Sequence, residues 1–196
     1  MAKVELGARR TFSNLKAALF TPWTNEKTLG SETYDLVDIV ADTTSVEQAD
    51  NEVNTIEHEF SGSPLVENIS LGEKTFTTEC IDMQNDVLKG MFGWTTDDKG
   101  NAFAPKTYKP LYCKIEMQFS TTDDIIVLPK VLLNSKAVLA SMKTDVARAN
   151  INGTCYPAFV TAGSITKETD MAVIAKANAD NYTVAGSGEE SEESED

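Results

Sequence analysis

The chain of 196 residues is poor in the side chains that most often do chemistry. It has one histidine, His58, which alternates with Ile56 and Phe60 and has no second His or Cys at ligand spacing. That pattern fits a hydrogen-bonded structural histidine better than a metal ligand or a general base. Three cysteines, Cys80, Cys113 and Cys155, are odd in number and widely separated, each in an apolar strand-like stretch. Buried free thiols are expected; no C-x-x-C pair points to zinc or to a redox motif. No phosphate-binding G-x-x-x-x-G-K-[ST], no G-x-S-x-G and no H-E-x-x-H occurs. No catalytic, cofactor-binding or metal-binding residue is therefore assigned, and the chain is expected not to be an enzyme.

Bases are scarce too. Lys and Arg number 17 against 31 Asp and Glu, a net charge of −14. The last eight residues, "EESEESED", hold six carboxylates; take those six away from −14 and the body still stands at −8. Tight binding to a phosphate backbone needs clustered Lys and Arg, so an ordinary nucleic-acid binder is excluded. A surface past which DNA slides without sticking is not. Long apolar runs are missing as well: nothing approaches the ~18 residues that cross a bilayer, so no membrane partner is expected. "MAKVELGARRTFSNLKAALF" lacks the apolar core and cleavage site of a secretory signal. The chain is expected to be made and kept in a reducing cytoplasm, which makes the N-x-S/T matches at Asn68, Asn152 and Asn181 fortuitous.

What is present is β patterning. "LYCKIEMQF" sets Leu111, Cys113, Ile115, Met117 and Phe119 on one side and Tyr112, Lys114, Glu116 and Gln118 on the other, a strand with one buried and one exposed face. "YDLVDIVA", "NTIEHEFS", "LVENISLG", "KTFTTECI", "GTCYPAFVTAG" and "DMAVIAKA" add strands, separated by turn-forming residues. In "DDIIVLPKVLL", Pro129 predicts two strands or a bulged one, since proline cannot donate to the ladder. "TTDDKGN" reads as surface hairpin chemistry. Residues 1–32 read as an N-terminal arm or long loop with one short strand at most, 33–178 as a single β domain, and 179–196 as a flexible acidic tail. Deleting residues 186–196, which hold no apolar anchor, is expected to leave folding and assembly intact.

"CIDMQNDVLKGMFGW" breaks the two-residue period. Val87, Leu88, Met91 and Phe92 share one helical face, Asp82 can cap the first turn, and Gly93 can end the last. The spacing predicts a helix over 83–92. Roughly eight strands at intervals of about 8–12 residues with one helix fit a mainly β fold, a β-sandwich or half-barrel with a flanking α-helix.

The stretch "DLVDIVADTTSVEQADNEVNTIEHEFSGSPLVENISLGEKTFTTECIDMQNDVLKGMFGW" resembles the tail tube proteins (major tail proteins) of long-tailed bacteriophages. The likeness lies in the order of strand, polar loop with a "TSVEQ" element, acidic strand, strand, helix and apolar "FGW". It implies a virion structural protein, made in the host cytoplasm, that self-assembles into hexameric rings stacked as a channel for DNA delivery. Its partners would be itself and other tail proteins such as tape measure and tail terminator, with DNA passing and no sequence-specific binding. The helix would pack Val87, Leu88, Met91, Phe92 and Trp94 against the sheet. The polar loop carrying Asp42, Thr43, Thr44, Ser45, Val46, Glu47 and Gln48 would reach a neighbouring subunit, and Glu57 with Glu59 would face the lumen or solvent. A tube-fold ring of a phage neck or short tail, a monomeric β-sandwich adhesion or ligand-binding module, and a hydrolase with an unrecognised site are the alternatives.

Overall fold

The computed structural model describes residues 12–25, 27–36, 39–57, 64–81, 85–107, 110–138 and 148–186. In chain order the elements begin with β1 (Leu15–Pro22), β2 (Tyr34–Leu36), β3 (Ser45–Gln48), β4 (Glu52–Glu57), β5 (Pro64–Ser70), β6 (Lys74–Cys80) and α1 (Asn85–Phe92). There follow β7 (Thr95–Thr96), β8 (Ala102–Phe103), β9 (Leu111–Phe119), β10 (Thr122–Leu133), β11 (Lys136–Val138) and β12 (Arg148–Tyr156). The last are β13 (Ala158–Ala162), β14 (Ile165–Thr169), β15 (Ala172–Ile174) and β16 (Thr183–Ala185). The fold is mainly β.

Nine strands form one antiparallel sheet in the order β2-β1-β9-β10-β12-β6-β3, with β11 added to β12 and β15 to β10. The sheet curls. The chain leaves β2 at one edge and three residues after Leu36 reaches the opposite side, where Ile39 bridges Cys80 and the Val40 N–H donates to the Glu79 carbonyl at 2.8 Å. Three residues span at most about 11 Å, so the two margins lie close together. No ladder joins β2 to β6 or β3 among the described residues, so the sheet remains an open half-barrel rather than a closed one.

Its inner face is the core. Phe20 from β1, Phe76 from β6, Ile115 from β9, Leu128 and Leu133 from β10 and Ile151 from β12 are all buried in one cluster. The period-2 alternation of β9 puts Cys113, Ile115 and Met117 there, as the sequence predicts. Helix α1 lies against β1 and β2 and adds Val87 and Met91 to the cluster; Leu88 is buried too, and Phe92 and Trp94 are half-buried. Gly93 ends the helix at φ +65, which costs a residue without Cβ nothing, and the Trp94 N–H closes on the Leu88 carbonyl at 3.1 Å. Residues 82–84, with the expected cap Asp82, lie outside the described residues.

Pro129 does what a proline in a strand must. The register of β10 against β9 shifts between Leu128 and Val131. Before the proline β10 pairs β15 on its far edge, and after it β12. The Trp23 indole N–H donates to the Pro129 carbonyl at 3.1 Å. β10 is thus the bulged strand of the two options the proline leaves, and the bulge is where it changes neighbours.

A three-stranded sheet, β14-β13-β16, covers the outer face of β9 and the first half of β10 through Val127, Val160 and Ile174. This corrects the expected bare polar face of β9. Lys114 Nζ donates to Tyr182 Oη at 2.9 Å, Tyr182 Oη donates to Glu116 Oε2 at 2.6 Å, and Gln118 Nε2 donates to Glu116 Oε1 at 2.9 Å. Burial pushes the Lys114 ammonium pKa down; burial, then the hydrogen bond to Glu116 and its charge, push the Tyr182 phenol well up.

The signs are opposite. Tyr182 keeps its proton in the fold while the unfolded phenol loses it near pH 10, so its stabilisation holds below that pH and is lost as pH rises further. Lys114 works the other way, with stability recovered as pH rises towards the unfolded lysine value. The larger shift is the phenol's. Tyr182→Phe is expected to flatten the fall in urea midpoint between about pH 9 and 11; a steeper fall in the variant would show that Tyr182 does not carry it.

Two further expectations are corrected. Residues 15–22 are not arm or loop but an interior strand, flanked by β2 and β9. At the other end β16 pairs β13, and Ala179, Tyr182 and Val184 pack on the second cluster. The folded body therefore runs to Gly186, whose N–H donates to the Lys27 carbonyl at 3.3 Å.

Candidate assembly surface

The stretch 42–48 is not a free loop. Asp42 turns the chain at φ +60, a conformation Asp tolerates. The Thr43 hydroxyl donates to the Val40 carbonyl at 2.7 Å and accepts the Glu79 N–H at 3.1 Å. Thr44 and Thr78 hydroxyls meet at 2.8 Å, as do those of Ser45 and Thr77. Val46 packs half-buried on the core, and Ser45–Gln48 form β3 on the edge of β6. Hydroxyl pairs and a backbone ladder hold this segment, and neither leaves a hydropathy signal.

The free element is the next one. β3 and β6 pair from Ser45↔Thr77 to Gln48↔Lys74; β4 and β5 resume from Glu52↔Ser70 to Ile56↔Val66 in unbroken register. The four strands are one long ribbon, interrupted at a joint of residues 49–51 and 71–73. At the joint the Ala49 N–H donates to the Glu73 carbonyl at 2.9 Å and the Gly72 N–H to Asn51 Oδ1 at 3.1 Å. The backbones approach so closely that a Cβ on Gly72 would lie 1.9 Å from the Ala49 carbonyl oxygen.

Beyond the joint, β4 and β5 pair with each other and with no other strand among the described residues. Six strand residues extend about 20 Å, and a lone two-stranded hairpin is marginal in water. Leu71, 75% exposed, sits at its base. Glu57 belongs to this arm; Glu59 and His58 lie outside the described residues.

"TTDDKGN" closes the β7–β8 hairpin, where Asp97 accepts the Asn101 side-chain amide and the backbone N–H groups of Asn101 and Lys99. Those bonds hold its carboxyl below the usual range. No group of three or more His, Cys, Asp or Glu is placed to hold a metal among the described residues. None of the three cysteines is in a disulfide and all are buried, and burial pushes Cys113 up to about 12. The open mouth of the half-barrel is a recess of about 680 Å³, with Leu15, Ile39, Val46 and Phe119 on its wall and Asp42 as its one carboxylate.

No family model matches the chain, and no curated protein matches it. Among solved structures it is similar to a chain in the cryo-EM structure of the anti-feeding prophage baseplate, 6-fold symmetrised, at 10% identity and TM-score 0.39, covering 86% of this chain and 98% of that one. A likeness of that degree carries no functional inference.

Proposed function

We propose that this chain is a structural protein of a bacteriophage tail, assembling with copies of itself into rings that stack as a channel for DNA. Three things support the reading: the tail-tube-like order of residues 34–94, a curled sheet with one flanking helix, and an acidic body unsuited to holding phosphates. The observation that carries it is the arm. A ribbon anchored in the sheet by β3 and β6 continues as a hairpin that pairs with no other strand among the described residues, and a two-stranded hairpin needs a surface to lie on. A neighbouring copy in the next ring supplies one. Hexameric rings, the tape-measure and terminator partners and the virion location follow from the resemblance. The chain acts by assembly, without catalysis.

Negative-stain microscopy and light scattering over a concentration series test this, rings or tubes being the expected result. Replacing residues 52–70 by an Asn-Gly turn, which suits a two-residue hairpin, should leave a cooperative unfolding transition and abolish stacking. A chain that is monomeric at every concentration would overturn the proposal. Tubes of unbounded length separate a tail tube from a neck or short-tail ring.

A further inference from the structure

We infer that residues 1–11 seat in the open mouth of their own subunit's half-barrel and supply the stave it lacks. The inference concerns a single subunit and stands apart from the assembly reading. The core is poorly covered at this mouth. Leu15, Ile39, Val46, Phe119 and Ile126 pack half-buried against the main cluster, and all five line the recess. Met171, 36% exposed, is on its wall too. A concavity of about 680 Å³ with such walls takes an apolar occupant. The backbone is open there as well. β2 covers only residues 18–20 of β1, so residues 15–17 have no strand on that side among the described residues, and β3 pairs with β6 alone. Leu15 on one bank and Val46 on the other both face the recess. Edges of this kind accept an added strand.

The occupant follows from where the chain enters. Phe12 is itself on the wall, its ring edge-on to Phe119 with centroids 5.3 Å apart. Beside it the Ser13 N–H donates to Thr121 Oγ1 and the Thr121 hydroxyl donates to the Ser13 carbonyl, both at 3.1 Å. The Ser120 N–H donates to the Asn14 carbonyl at 2.9 Å. These bonds pin the chain at the rim, so the preceding segment starts at the recess. Its reach is ample, since 11 residues extend to at most about 40 Å. In "MAKVEL", Ala2, Val4 and Leu6 alternate with Lys3 and Glu5, the period of a strand with one apolar face. "GARRT" is long enough to turn that strand back to the rim. Lys3, Arg9 and Arg10 against Glu5 make the segment basic within an acidic chain, and the carboxylate on the wall is Asp42. A surface ion pair contributes little, so charge orients the segment while Val4 and Leu6 hold it.

Single cysteines on the two faces of the segment test this in dilute subunits, where the native cysteines are buried. The Leu6→Cys thiol should react with a small maleimide on the order of tenfold more slowly than the Lys3→Cys thiol, because reactivity requires access. Urea should erase the difference. Equal rates in native buffer would overturn the inference. A second pair of variants identifies the seat. Ala41 is exposed on the recess wall, and Asp98 is exposed in the β7–β8 turn, outside the recess. A short bismaleimide should join the thiols of Leu6→Cys/Ala41→Cys within one chain and fail to join those of Leu6→Cys/Asp98→Cys. Joining in both would mean a segment with no fixed seat, and joining in neither a seat elsewhere. A product of two chains would mean a recess filled by a neighbouring copy. Each of these three results overturns the inference.

Discussion

Phe76→Ala is expected to lower the unfolding free energy by about 3–5 kcal/mol, the range for removing a fully buried aromatic. Phe76 has no exposed surface and meets Phe20 edge-on, with ring centroids 6.1 Å apart. It sits on β6, which joins β12 to β3 and anchors the arm. The space left would be bounded by strands tied on both sides, so little collapse can refill it. Typical domains are stable by about 5–15 kcal/mol, so the variant should lose much of its urea resistance. Phe103→Ala is the contrast: at 59% exposure it should change stability by no more than about 0.5 kcal/mol. If the Phe76 variant fell within about 1 kcal/mol of the unsubstituted chain, the core would not be centred where β6 crosses it.

The parts of this fold that show in the sequence are those whose stability comes from one apolar face. β9 and β6 alternate cleanly because one side is core, and α1 shows itself through Val87, Leu88 and Met91 for the same reason. Pro129 was readable because a missing N–H has only a few places to go. β1 was not: "LKAALFTP" is apolar nearly throughout, without the period that marks a strand. β3 reads as loop in the sequence because hydroxyl pairs hold this segment to β6, and such pairs leave no apolar pattern. The cover over Lys114 and Glu116 depends on Tyr182, 66 residues beyond Glu116 in sequence, and no local pattern encodes such a contact. Polarity marked 42–48 as exposed, whereas the free part of the ribbon is the better-patterned hairpin that follows it.

Gly72→Ala is expected to leave the body folded and to disable the arm. The added Cβ would lie 1.9 Å from the Ala49 carbonyl oxygen, 2.5 Å from its carbon and 2.7 Å from the Asp50 carbonyl oxygen. All three are backbone atoms, so no side chain can swing aside; the two halves of the ribbon must part. Parting them breaks the Ala49 N–H bond to Glu73 and the Gly72 N–H bond to Asn51. Forced insertion of this kind costs about 1–3 kcal/mol. Because β3 remains tied to β6 by its ladder and by the Ser45–Thr77 hydroxyl pair, that cost should fall on the direction of β4 and β5 rather than on the core. An arm that leaves the sheet at another angle misses its neighbour. The concentration at which rings stack should then rise by at least about tenfold, equivalent to about 1.4 kcal/mol per contact, while near-UV circular dichroism of the subunit stays unchanged. Ser70→Ala, two residues away with only a 3.5 Å contact to the Glu52 carbonyl, should be nearly silent in both measurements. If the Gly72 variant stacked at the original concentration, the joint would not aim the arm, and stacking would have to run through the edges of the sheet instead.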